Sequence, residues 1–186
     1  MQPRIPRQSV NEPGGHRADH DARLGEELAA VVSGARRRAL RDGDRVIDTA
    51  HLLHSLLECD PEVRAVFESG PQLARLLAYL VQRSIGYGLR WQGGVEDSGA
   101  VPVVTQAEGF SPLAAGAMEY AEERAADRGA DRAGGIDLLA AVVADPGARA
   151  VEVLTRAGID AGAVSARITS RPWDGGMPDS RTASSR

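Results

Sequence analysis

His51 and His54 lie three residues apart, a spacing that on a helix turns two imidazoles toward one face and would let them share a metal ion. A tetrahedral set needs two more ligands. The lone cysteine, Cys59, and the other histidines, His16 and His20, do not supply them in an obvious way, which leaves only carboxylates as a complement. His16 and His20 are four apart and flanked by Asp19 and Asp21, but Gly14-Gly15 opposes a stable helix beneath them, so a solvated tail is the expectation there. No metal site is therefore expected, and His51 is expected to serve as a polar contact inside a bundle. Cys59 has no assured base beside it and reads as a small hydrophobe near a turn. Phosphate chemistry of the P-loop kind is excluded, because there is no G-x-x-x-x-G-K-[ST] stretch and all 22 basic residues are arginine. Neither a G-x-S-x-G elbow nor an H-E-x-x-H pair occurs. The chain is expected to be no enzyme and to need no cofactor.

The element that carries His51 and His54 is the apolar run Thr49-Ala50-His51-Leu52-Leu53-His54-Ser55-Leu56-Leu57. Leu52, Leu53, Leu56 and Leu57 gather into one helical stripe, and so short a helix must be covered on most sides to persist. The pattern returns at Gly135-Ile136-Asp137-Leu138-Leu139-Ala140-Ala141-Val142-Val143, 86 residues on. The same shift aligns Leu24 with Phe110, Ala35 with Ala121, Ala39 with Ala125 and Gly43 with Gly129. Past the central helix the register slips by two, so that Val63 meets Val151, Val66 meets Leu154 and Gly70 meets Gly158. An internal repeat of this kind decides the fold class more firmly than any single motif. Each unit reads as a long helix, a glycine turn, the apolar short helix, an Asp-Pro turn and two further helices. The expectation is an all-α, pseudo-twofold bundle of two four-helix repeats.

Composition agrees. Hydrophobic residues make up 42% and aromatics only 4%, so the core must rest on Leu, Val and Ala, as closely packed helices prefer. The net charge of −4 argues against general nucleic-acid binding, and Arg36-Arg37-Arg38 reads as a solvated helix face. A lone cysteine fits a reducing compartment, and neither a signal-peptide core nor an 18-residue apolar run is seen, so a cytoplasmic, membrane-free protein is expected.

In chain order, residues 1–22 are expected to be a disordered tail. Repeat one covers 24–84. Its first helix, over about 24–41, lines one face with Leu24, Leu28, Val31, Val32, Ala35, Ala39 and Leu40. Asp48 or Thr49 caps the central helix, Asp60-Pro61 opens the third, and the fourth carries the stripe Leu73, Leu76, Leu77, Leu80 and Val81. Residues 85–109 are glycine-rich, a linker that is either a short hairpin or a plain surface strap. Repeat two covers 110–169. Ser111 caps its first helix, on which Leu113, Ala117, Tyr120 and Ala121 face inward, and Asp160 caps its last. The domain spans 23–170, and residues 171–186, with Trp173, form a second tail.

This plan resembles the Clp N-terminal domain, the double four-helix repeat at the front of unfoldases such as ClpC and ClpA. The resemblance covers about residues 24–170. It rests on Thr49-Ala50-His51-Leu52-Leu53 with Leu56-Leu57, against a family pattern Thr-Glu-His-Leu-Leu followed by a leucine pair, and on Phe110-Ser111-Pro112 against Phe-Thr-Pro. It implies a non-catalytic module that binds peptides and proteins, with a Clp-type unfoldase, adaptor or substrate as partner. Such a module would modulate Clp-dependent proteolysis or sequester its ligands. In the family the glutamate of each Thr-Glu-His motif is implicated in reading phosphorylated arginine. Here Ala50 and Ile136 stand at those positions, and Asp137 replaces the second histidine, so an apolar contact is expected instead. Phe110 matches a groove-lining phenylalanine, Leu24 is its repeat mate, and Glu119 matches an acidic position beside the groove. Phe110 could equally be a core staple ahead of its helix. The alternative function is a structural or regulatory partner whose groove is covered by residues 85–109.

Overall fold

The computed structural model describes residues 24–67, 70–84, 96 and 109–171. The expected tails, with His16, His20 and Trp173, and the expected linker apart from Glu96 and Gly109 lie outside the described residues. Eight helices are described: α1 (Glu26–Asp42), α2 (Thr49–Cys59), α3 (Pro61–Ala65), α4 (Gly70–Ser84), α5 (Pro112–Asp127), α6 (Gly135–Val142), α7 (Arg149–Arg156) and α8 (Ala161–Ser170). The fold is all-α, and the described residues add only an isolated parallel bridge between Ile47 and Phe110.

Local chemistry sets the helix ends. The Asp48 carboxylate accepts the His51 N–H to open α2, Asp60 accepts from Glu62 and Val63 to open α3, Ser111 accepts from Ala114 to open α5, and Asp160 accepts from Ala163 to open α8. Gly43 closes α1 at φ 75°, in the left-handed region where a Cβ would be strained, and its N–H reaches back to the last carbonyls.

Within each repeat the long helix packs most extensively on the central one, α1 on α2 and α5 on α6. Between repeats, α2 packs on α5, α6 and α7, while α3 meets α6 and α4 meets α7. Every residue of α2 from Thr49 to Leu57 is buried in consequence, so the expected cover on most sides is met. A single core runs through both repeats, with Leu52, Leu53, Leu56, Leu138, Leu139 and Leu154 fully buried.

Three side chains expected inside face solvent instead: Leu40 at 73% exposure, Val81 at 49% and Tyr120 at 46%. Each directly adjoins a buried neighbour (Ala39, Leu80 and Ala121), and one residue is a step of about 100° round a helix. The buried arcs on α1, α4 and α5 are narrower than the apolar stripes. Cys59, expected as a small packed hydrophobe, is exposed at the end of α2, where the helix has already left the core.

The 86-residue register also governs how the repeats touch. The Ile47 N–H donates to the Gly109 carbonyl at 2.7 Å, and the Ser111 N–H to that of Ile47 at 2.8 Å. Adding the shift to Ile47 gives Ala133, and removing it from Phe110 gives Leu24. The equivalent segments approach one another without a bridge: a Cβ on Gly25 would lie 3.8 Å from the Ala133 carbonyl oxygen. The segment that leads into each long helix thus rests on the loop before the other repeat's central helix.

Candidate functional site

The residues expected to form a groove separate into three environments. Leu24 and Ala50 belong to the core, at 6% and 0% exposure, and offer no surface to a ligand. This corrects their placement: Leu24 is a core residue just ahead of α1, and Ala50 sits in the first turn of an enclosed helix. Phe110 and Ile136 are half-buried, each with one side packed on the core. Glu119 is exposed on α5.

His51 and His54 do not converge. His51 completes a capping box, in which the Asp48 N–H donates to its Nδ1 at 3.1 Å and its own N–H donates to Asp48 Oδ1 at 2.9 Å. Its Nε2 faces Asp42 and Asp44 at 3.4 and 3.3 Å. These three residues bring potential ligand atoms within 4.8 Å of one another. Nδ1 is held by Asp48 from both sides, its N–H donating at 3.1 Å and its Oδ1 standing 2.9 Å away, while Nε2 is aimed at the two carboxylates. The same contacts are those of a hydrogen-bonded cluster that fastens the end of α1 to the start of α2. His54 turns instead to Glu58, its Nε2 at 3.2 Å from Oε1, and Arg38 also pairs with Glu58. Burial, and next the Arg38 charge, push His54 down to about 4. The Arg38 hydrogen bond is the main cause holding Glu58 below its ordinary range.

Repeat two carries the same device with its polarity reversed. Asp137, the mate of His51, accepts the Gly134 N–H at 3.0 Å, as His51 accepts that of Asp48. Arg128, the mate of Asp42, pairs with Asp137 through both guanidinium nitrogens, Nη2 at 2.8 Å from Oδ2, and Arg124 Nε stands 3.4 Å from Oδ1. Acid on the long helix and base on the central one has become base on the long helix and acid on the central one.

A further polar centre lies on the seam between the repeats. Glu96, 4% exposed, places its carboxylate where the N-termini of α2, α5 and α7 meet. Its Oε2 accepts the Thr49 N–H at 2.9 Å and the Ser111 hydroxyl at 2.8 Å. Its Oε1 accepts the Arg149 N–H at 2.5 Å and the Thr49 hydroxyl. Beside it Arg149 Nη1 donates to Asp48 Oδ2 at 2.8 Å. Sequence reasoning missed Glu96 and Arg149, yet a signal was present. In the slipped register Asp60, which caps α3, matches Ala148, and α7 has no side-chain cap of its own. The donors that Ala148 leaves open are met by Glu96 and by Thr49, whose Oγ1 accepts the Ala150 N–H at 3.0 Å.

No family model matches the sequence, and no curated protein matches it significantly. Among solved structures, the chain is similar to the N-terminal domain of the caseinolytic protease associated chaperone ClpD from Arabidopsis thaliana. The TM-score is 0.57 at 19% identity, over 80% of this chain and 94% of that one. That likeness, with the repeat register, identifies the architecture: this chain has the fold of the Clp N-terminal domain.

Proposed function

We propose that this chain is a non-catalytic docking module for peptides and proteins, acting in the cytoplasm on a Clp-type unfoldase, its adaptors or its substrates. The fold supports the general reading, since the similar domain belongs to a protease-associated chaperone. The observation that carries the specific one is Phe110: it sits on the bridge between the repeats, packed on the core yet only half-buried. Ile136 is half-buried likewise, and neither position 50 nor 136 offers a carboxylate. A surface without those acids lacks charge-assisted bonds to a guanidinium, each worth about 1.5–3 kcal/mol, and suits an apolar peptide. Titration calorimetry tests this reading. Phe110→Ala should weaken binding of an apolar peptide while the helical signal and midpoint of the fold persist, and free phosphoarginine should not compete. Tight phosphoarginine binding, or a Phe110→Ala protein that unfolds, would overturn it.

A second reading has one observation in its favour. Glu96, which belongs to the 85–109 stretch, is itself held on the seam, and a regulatory partner with a covered groove would have such a contact. Silent calorimetry, together with recovery from native lysate of a stable partner other than unfoldase, adaptor or protease subunits, would favour it.

A further inference from the structure

We propose that Asp42, Asp44 and His51 bind one divalent first-row metal ion, Zn2+ first among them, across the turn that joins α1 to α2. The site stands whether or not the docking reading holds, since it uses only side chains around that turn.

His51 Nε2 stands 3.4 Å from Asp42 Oδ2 and 3.3 Å from Asp44 Oδ2. A tetrahedron with metal–ligand bonds of about 2.0–2.1 Å has edges of about 3.3–3.4 Å, so both separations are those of ligands that share one ion. All three atoms lie within 4.8 Å of one another, and among the described residues this is the one group of three such side chains. The ring nitrogen has a single proton or lone pair to divide between two acids, whereas a metal ion serves both at once. The ligands differ in depth. His51 and Asp42 are fixed, their side chains 1% and 7% exposed, while Asp44 keeps 41%. Asp44 therefore has room to close the third edge, and its side of the site is open to water as a fourth ligand.

The support behind the imidazole is what a metal ligand needs. A metal on Nε2 places the ring proton on Nδ1, where Asp48 Oδ1 lies 2.9 Å away to accept it. Asp48 is fully buried and is anchored in turn by Arg149 Nη1 at 2.8 Å. A carboxylate behind the histidine is the usual outer-shell partner of a metal-bound ring, since it fixes tautomer and orientation. The helix cap survives, because the His51 backbone N–H donates to Asp48 Oδ1 in either tautomer.

Repeat two shows the charge that this position calls for. Adding the 86-residue shift to Asp42, Asp44 and His51 gives Arg128, Ala130 and Asp137. There the chain supplies its own cation, the Arg128 guanidinium on the Asp137 carboxylate. Repeat one instead sets two carboxylates around an imidazole, and Arg41 Nε stands 3.9 Å from the other Asp42 oxygen, Oδ1. Two carboxylates match the charge of a divalent ion. Imidazole with carboxylates suits Zn2+ and its neighbours, whereas Mg2+ and Ca2+ take sets of six or so oxygen ligands.

The test is Zn2+ titration of the untagged full chain after chelator treatment. A His16→Ala/His20→Ala/Cys59→Ser background removes the other side chains with affinity for Zn2+ outside α2 or at its end. Calorimetry should find one ion per chain, and the thermal midpoint should rise saturably with Zn2+ while Mg2+ and Ca2+ leave it unmoved. Co2+ should give visible absorption that Zn2+ displaces. Asp44→Asn keeps size at a half-exposed position, so its metal-free midpoint should not fall. Its Zn2+ affinity should drop by at least the roughly 10–100-fold that loss of an outer-shell partner costs. Asp42→Asn should weaken binding likewise, and if it fails to fold, Asp44→Asn decides alone. No saturable Zn2+ binding, an Asp44→Asn protein that binds Zn2+ as tightly as its parent, or an equal response to Mg2+ would each overturn the proposal.

Discussion

Reversing the polarity of the Arg128–Asp137 pair is the sharpest test of the matched polar pairs at the two central helices. Arg128→Asp alone sets two acids together, one of them at a site only 1% exposed. Asp137→His alone turns a base toward Arg128 and Arg124. Removing one partner of a buried pair costs about 3–5 kcal/mol, and because the Arg128 side chain keeps 19% exposure the lower figure applies to each single variant. The double variant rebuilds in repeat two the acid-to-histidine arrangement that Asp42 and His51 make in repeat one. Arg124, 30% exposed, has room to turn to solvent. The double should therefore lose no more than about 3 kcal/mol in all, a coupling of about 3 kcal/mol, at the upper end for residues in contact. With a urea slope of about 2 kcal/mol per molar, each single shifts the midpoint by about 1.5 M and the double falls no further. Additivity of the two singles to within about 0.5 kcal/mol would refute the reasoning, because it would mean the two side chains stabilise the fold independently.

Leu53→Ala and Leu139→Ala, both at 0% exposure in equivalent central helices, should each cost about 2–5 kcal/mol in urea, and an unchanged midpoint for either would remove that helix from the core. His54 titrates at about 4 when folded against 6.5 in the free state, so the unfolded chain holds more protons between those values and stability falls as pH falls through that window. Between pH 7.5 and 5 the wild type should lose about 2 kcal/mol more than His54→Gln, and parallel losses in the two proteins would contradict the assignment. Gly135→Ala should destabilise by about 1–3 kcal/mol, since a Cβ there runs into the Asp60 carboxylate and lies 3.2 Å from Val63 Cγ2, and a neutral effect on the urea midpoint would mean α3 and α6 are not so closely apposed.

Periodic features were legible in the sequence. The leucine spacing at 52–57 and 138–143 yields the two central helices and the 86-residue register, and the caps at Asp48, Asp60, Ser111 and Asp160 stand where their chemistry places them. Apolar neighbours at the edge of a stripe were not legible, because Leu40 and Ala39 differ by one step of rotation and only the packing partner decides which is covered. Asp137 was visible as a departure from histidine, but its compensation by Arg128 was not, since polar pairing across a turn leaves no periodic trace. Of the groove residues, the depth of Ala50 depended on the packing of α5, α6 and α7 over α2. Glu96 was hidden for the same reason, as its partners Thr49 and Arg149 are 47 and 53 residues away.

The exchange of lead-in segments between the repeats has a consequence for how the molecule unfolds. Ile47 is completed by backbone bonds to residues 109 and 111, and the start of α1 rests on the loop at Ala133. Neither half can open without stripping cover from the central helix of the other, so the repeats are not separate cooperative units despite their shared plan. Hydrogen exchange should find α2 and α6 protected to one common free energy, that of the whole chain. Duplication here has produced one indivisible folding unit.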